Sequence, residues 1–83
     1  MRLNAFGEVY CFNAFEVLAT LADENCEADN VYLCEIMAPE AGEVLWCGEI
    51  ADDVTGDLIC YIEASSLEEV RAIAAQAGID DQS

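Results

Sequence analysis

Apolar residues in this chain fall into separate runs whose spacing changes from helical to alternating and back to helical. The first run follows Asn13-Ala-Phe-Glu16. Asn13 can cap free helix amides and Glu16 can reach back in a capping-box arrangement. Positions 14, 17, 18 and 21 then share one helical face. The helix should fade in Asp23-Glu24-Asn25, where acids meet the negative end of the helix dipole. A polar loop from Asn25 to Asn30 carries Glu27 and Asp29. Three short apolar runs follow: Val31 to Met37, Glu43 to Ile50 and Leu58 to Ala64. They are separated by Ala38-Pro39-Glu40-Ala41-Gly42 and by Asp52-Asp53-Val54-Thr55-Gly56-Asp57. Connections this short between β-branched and aromatic runs predict an antiparallel meander. Ser65 and Ser66 start a second helix, with Glu68 and Glu69 in its favourable first turn. Val70, Ile73, Ala74 and Ala77 form its apolar stripe, Gly78 ends it, and residues 80–83 read as a short polar tail.

The first twelve residues support two readings. Glu8 to Phe12 reads as an edge strand, whereas Phe6, Val9, Tyr10 and Ala14 also fit a helix beginning near Asn4. The expected fold is therefore α+β in one domain spanning residues 1–83. It is a three-stranded antiparallel meander, with an N-terminal edge strand on the first reading, and two helices packed on one face, in the order (β)αβββα.

Strand alternation divides the meander into two faces. Tyr32, Cys34 and Ile36, with Val44, Trp46 and Ile50 and with Leu58, Cys60 and Ile62, form an uncharged set. Those residues are the expected core beneath the helices. The other set holds Val31, Leu33, Glu35, Met37, Glu43, Leu45, Cys47, Glu49, Ile59, Tyr61 and Glu63. Its four carboxylates, Glu35, Glu43, Glu49 and Glu63, stand among apolar side chains on a face that the helices leave open. An ordinary solvated sheet face is one reading. A partner surface, with Tyr61 and Leu45 as anchors ringed by acids, is the other.

Composition sharpens that choice. The chain has 83 residues, with 18 Asp and Glu, two Arg, no Lys and no His, for a formal charge of −16. At 55 % hydrophobic residues it is far too apolar for a disordered acidic tail. Arg2 and Arg71 cannot build a phosphate-binding field, so direct nucleic-acid binding is excluded, as is attachment to an anionic membrane. No run approaches the roughly 20 apolar residues of a membrane span. Asn4, Gly7 and Glu8 interrupt any leader, so the expected location is cytoplasmic. Duplex DNA carries one charge per ≈ 1.7 Å of axis, so a charge of 16 corresponds to about 27 Å of duplex. A folded chain of this length is about 30 Å across. Its charge per unit length thus resembles that of DNA, and it exceeds the magnitude of ≈ 2–8 that solubility asks of a small domain. The hairpin acids Asp52, Asp53 and Asp57 and the group Asp23, Glu24, Glu27 and Asp29 leave no side of the domain free of negative charge.

The chemistry of catalysis and cofactors finds little support. Cys11, Cys26, Cys34, Cys47 and Cys60 are odd in number and lack a C-x-x-C pair, which favours reduced, mostly core cysteines over a disulfide framework or metal site. There is no His for acid–base work and no Lys for Schiff-base chemistry. If Gly56 is aligned with the loop glycine of an EF-hand, Ala51 falls at the first ligand position and Ile62 at the last, so the calcium reading fails. The segment Ser65-Ser66-Leu67 echoes the modification site of acyl carrier proteins, but Ser65 stands where those carriers have Asp, and the serines follow a strand. No cofactor is expected and no enzyme activity.

In size, charge and compact α+β character, though in no motif, the whole chain resembles the small acidic proteins of phages and mobile elements that imitate nucleic acid, above all the anti-CRISPR proteins. That resemblance implies a non-enzymatic inhibitor acting in the host cytoplasm. It would block the basic DNA-binding surface of a type I CRISPR effector complex, such as a Cascade subunit. The acids named above would be the contacts, with Tyr61 among them, and the protein would be a monomer or weak homodimer. The alternative is a ferredoxin-like α+β regulatory module that dimerises through its open sheet face. A carboxylate-bound metal protein is a third reading.

Overall fold

The structure, a computed structural model, describes residues 2–83. Its fold is α+β: two helices and a six-stranded mixed sheet. The strands are β1 (Arg2–Leu3), β2 (Val9–Cys11), β3 (Val31–Met37), β4 (Trp46–Asp52), β5 (Leu58–Ala64) and β6 (Asp80–Asp81). The helices are α1 (Ala14–Asp23) and α2 (Leu67–Gln76), and a single 3-10 turn occupies Ala28–Asn30. The sheet order is β1-β2-β5-β4-β3-β6. The expected antiparallel meander, β3-β4-β5, forms its centre, but three strands is too few. The extended reading of the N-terminus holds, yet β2 is interior: it runs parallel to β5, and β1 covers its other edge. Part of the expected polar tail is likewise strand, since β6 pairs parallel to β3. Three strands lie between the helices, where a ferredoxin-like β-α-β-β-α-β order has two.

Local chemistry sets the helix ends. The Asn13 side chain accepts the Glu16 amide at 2.9 Å, and the Glu16 carboxylate accepts the Phe12 amide at 2.7 Å. Ser66 does the first of these for α2, accepting from the Glu69 amide at 3.1 Å. Both helices close in the same motif. Asn25 and Gly78 take positive φ angles of 56° and 76°. The next residues, Cys26 and Ile79, then donate back to the carbonyls of Leu21 (2.8 Å) and Ala74 (2.9 Å).

Both helices contribute to one core. Val17 and Leu21 from α1 and Val70, Ala74 and Ala77 from α2 meet Cys11, Val31, Leu33, Ile50, Cys60, Ile62 and Ala64 from the sheet. The expected core face needs correction in two strands. In β3 the buried residues are Val31 and Leu33, and Tyr32 turns to the other face. A bulge between Leu33 and Glu35 inserts Cys34 as an extra residue, restoring Ile36 to the core side and Glu35 to the open side. A second irregularity opposite Ile50 and Ala51 brings Ile59, not Leu58, against the core. Val44, expected in the core, precedes β4 and is exposed, as is Leu18 on α1.

One glycine fixes how closely α2 approaches the sheet. A Cβ on buried Gly48 would lie 2.6 Å from Val70 Cγ1 and 2.9 Å from Leu33 Cδ1. We expect Gly48→Ala to destabilise the protein by about 1–3 kcal/mol through overpacking. In a Val70→Ala background the same substitution should cost roughly half as much, a coupling readable from urea denaturation of the four proteins in the cycle.

Candidate functional site

With both helices on one side, the other face of the sheet is uncovered, and strand register orders what stands on it. Glu35 lies directly opposite Glu49, Glu49 opposite Tyr61, and Tyr61 opposite Tyr10, so one row crosses four strands. Like charges in directly opposed positions destabilise a sheet, and Glu35 and Glu49 form such a pair. Glu35 is exposed and Glu49 half-buried. Beyond them the rings of Tyr61 and Tyr10 stack, with centroids 4.7 Å apart and planes inclined by 16°. The Arg2 guanidinium covers the Tyr10 ring at 4.1 Å.

Arg2 also decides the fate of Glu63. It grips that carboxylate with two hydrogen bonds, Nε to Oε1 at 3.0 Å and Nη2 to Oε2 at 2.8 Å. Glu63 is only 7 % exposed. Its expected role as a free partner contact is therefore corrected: burial at the centre of the sheet requires a counter-charge, and the β1 strand delivers one. Tyr61, expected as an open anchor, is half-buried in the stack and donates its hydroxyl to Glu8 at 3.2 Å. Burial, and then that carboxylate, push its phenol up to about 12. Glu8 is a member of this surface that alternation alone did not single out, because the Asn4 side chain fixes its loop by accepting the Phe6 and Glu8 amides. Next to the stack lies a hollow of about 280 Å³ lined by Met37, Leu45 and Cys47 with Glu40 and Glu43 at its margin. Glu43 is exposed but precedes β4, so it borders the sheet face rather than standing on it.

A second acidic group forms at one end of the sheet. The Asp53 amide donates to the Asn30 carbonyl at 3.0 Å, bringing the Asp52–Asp57 hairpin beside the turn that carries Asp29. Two clusters separate in the sequence thus become neighbours, with Glu27 immediately before that turn. Asp52 holds the hairpin by accepting the Val54 and Thr55 amides at 2.8 and 3.0 Å, and those donors, Thr55 first, keep its carboxyl below its ordinary range. Asp53 and Asp57 are exposed. The register sets Asp80 beside Tyr32, adding an acid that a tail reading overlooks. Asp23 and Glu24 stand at the C-terminal end of α1, where they line a hollow with Arg2, Leu3 and Val9.

No family model, curated protein or solved structure matches this chain. The geometry therefore carries the functional argument.

Neither arginine offers an unpaired cation: Arg71 Nε meets Asp81 Oδ2 at 3.0 Å and ties α2 to β6. Among the described residues, no three Cys, Asp or Glu side chains converge so as to hold a metal ion, and no helix is long and apolar enough to cross a membrane. All five cysteines are free thiols. Cys11 and Cys60 are buried together in the core, where a thiol–thiol hydrogen bond lowers Cys11 and raises Cys60. Cys47, on the open face, is pushed up to about 12 by burial and then by the charges of Glu63 and Glu49. It is a built-in probe of that face's negative potential. Glu49→Gln should raise its thiolate fraction and speed its alkylation by iodoacetamide at pH 9 roughly twofold or more, as followed by peptide mass spectrometry.

Proposed function

We propose that this domain is a non-enzymatic inhibitor that occupies a basic nucleic-acid-binding surface on a partner protein, presenting carboxylates where the partner expects phosphates. A type I CRISPR effector complex, met in the host cytoplasm through a Cascade subunit, is the leading partner. The observation that carries the reading is the opposed pair Glu35 and Glu49 on an uncovered sheet face, in a molecule whose two arginines are both engaged elsewhere. A fold gains nothing from such a pair. A cationic groove would relieve its repulsion and be steered toward it. The acidic end of the sheet, with Asp29, Asp52, Asp53, Asp57 and Asp80, extends the negative surface in the same way.

The competing reading, dimerisation through the sheet face, draws on the Tyr10–Tyr61 stack lying there. Charge weighs against it. The body measures 35 × 26 × 22 Å, so two copies in contact would have centres about 24 Å apart. Two charges of −16 at that separation repel by about 40 kcal/mol in unscreened water. A Debye length of ≈ 8 Å at physiological salt leaves about 2 kcal/mol or more of this.

Two measurements test the proposal together. Binding to purified Cascade should fall tenfold or more between 50 and 200 mM salt, and binding that ignores salt would sink the idea. Glu35→Lys replaces a like-charge pair by a complementary one. It should therefore stabilise the protein by about 0.5 kcal/mol in urea denaturation while weakening binding at least tenfold.

A further inference from the structure

The margin of the sheet at β3 is only partly covered. β6 pairs with Tyr32 and Leu33, and the Gln82 amide donates to the Leu33 carbonyl at 2.9 Å. Past that bond the chain turns onto itself: the Ser83 amide and hydroxyl both donate to Asp81 Oδ1, at 2.9 and 2.6 Å. Among the described residues, no strand pairs with residues 34–37 on the side away from β4. That stretch of β3 therefore presents backbone amides and carbonyls along an open edge. The cross-sheet row of Glu35, Glu49, Tyr61 and Tyr10 ends at the same edge. Its last member, Glu35, is exposed, and no hydrogen bond or ion pair among the described residues engages its carboxylate. A strand added here would set one residue directly opposite Glu35 and, on the same face, its next-but-one neighbour beside Met37. Met37 lines the hollow that Glu40 and Glu43 border.

We propose that residues 34–37 take up an extended, basic segment of the partner as an added strand, with a Lys or Arg opposite Glu35 continuing the row. This inference rests on the inhibitor reading above: proteins that handle nucleic acid present arginine-rich and disordered segments that order on binding. In strand addition the backbone bonds supply affinity, and alternate side chains supply specificity. Charge selects the occupant here. Opposite charges facing each other across a strand pair stabilise it, and like charges do the reverse. A cation opposite Glu35 therefore relieves the Glu35–Glu49 pair. A neutral segment would gain the backbone bonds and leave that pair as it is. A second copy would bring its own Glu35 to the edge and another charge of −16. The edge adjoins the uncovered face, so one partner can meet both. The bulge at Cys34 separates the free stretch from the residues that β6 covers, so the added strand need not displace β6.

Nuclear magnetic resonance on the isotope-labelled full chain tests this with a defined probe, a short peptide bearing Lys at alternate positions and Thr between them. At low salt the peptide should show backbone-to-backbone Overhauser contacts with residues 34–37 and slow their amide exchange tenfold or more. Methylating the peptide's backbone amides keeps every charge and removes the donors, and it should weaken binding tenfold or more. Glu35→Lys should weaken binding of the unmethylated peptide threefold or more. In the complex with crRNA-loaded type I Cascade, hydrogen-exchange mass spectrometry should find the same residues protected. Two results would each overturn strand addition and leave the inhibitor reading standing: a methylated peptide that binds as tightly as its parent, or a salt-dependent Cascade complex in which residues 34–37 exchange as in the free protein. An absence of salt-dependent binding to Cascade would defeat the reading and the proposal with it. A wild-type dimer whose Overhauser contacts join two β3 edges would assign the edge to a second copy and also overturn the proposal.

Discussion

Repulsion among carboxylates is the constraint under which every other feature of this fold operates. A formal charge of −16 is confined to a body with a radius of gyration of 11.6 Å. Such a charge opposes compaction. The opposing force is a single core beneath one sheet face, in which Val17, Leu33, Ile50, Ile62 and Val70 are fully buried. Close contact is what makes so small a core sufficient, and Gly48 allows it by letting Val70 and Leu33 reach the strand backbone. The two arginines tie the short terminal strands to the body. Arg2 fastens β1 to β5 and Arg71 fastens α2 to β6.

That arrangement also shapes the uncovered face. Positive charge is gathered at one end, where Arg2 neutralises Glu63 and lies over Tyr10. Across the sheet, Glu35 and Glu49 have no such relief, and beyond them the acids of the hairpin and the 3-10 turn converge. The surface is thus graded, from matched charge around the tyrosine stack to unmatched charge toward β3. Local rules of sheet pairing are broken at the unmatched end, and natural folds tend to break such rules where they carry function.

Much of this was legible in the residues, for identifiable reasons. Asn13, Ser66 and Gly78 mark helix boundaries through side-chain and backbone chemistry that acts over three or four residues, so they can be read locally. The meander is equally local, its turns being short. The terminal strands were not legible as a sheet of six, because Arg2–Leu3 and Asp80–Asp81 have no strand pattern of their own and become strands by pairing with distant neighbours. The bulge at Cys34 carries no turn residue to announce it, yet it reverses which residues of β3 face inward. At the site, alternation correctly placed Glu35, Glu49 and Tyr61 on one face. It could not show that Glu63 is matched by a residue 61 positions away, nor that the Asp53 amide joins two acidic loops.

The two-residue length of β1 and β6 has a further consequence. A sheet with a bare outer face and open margins invites strand-by-strand growth into fibrils, because unpaired backbone groups recruit other chains. Here each margin ends in a segment too short to template a neighbour, one bearing Arg2 and the other Asp80 and Asp81. β6 covers only Tyr32 and Leu33, so Cys34 to Met37 of β3 stay an open edge, broken by the bulge at Cys34 and charged at Glu35. Bulge and charge, rather than complete pairing, are what discourage that edge from recruiting another such chain.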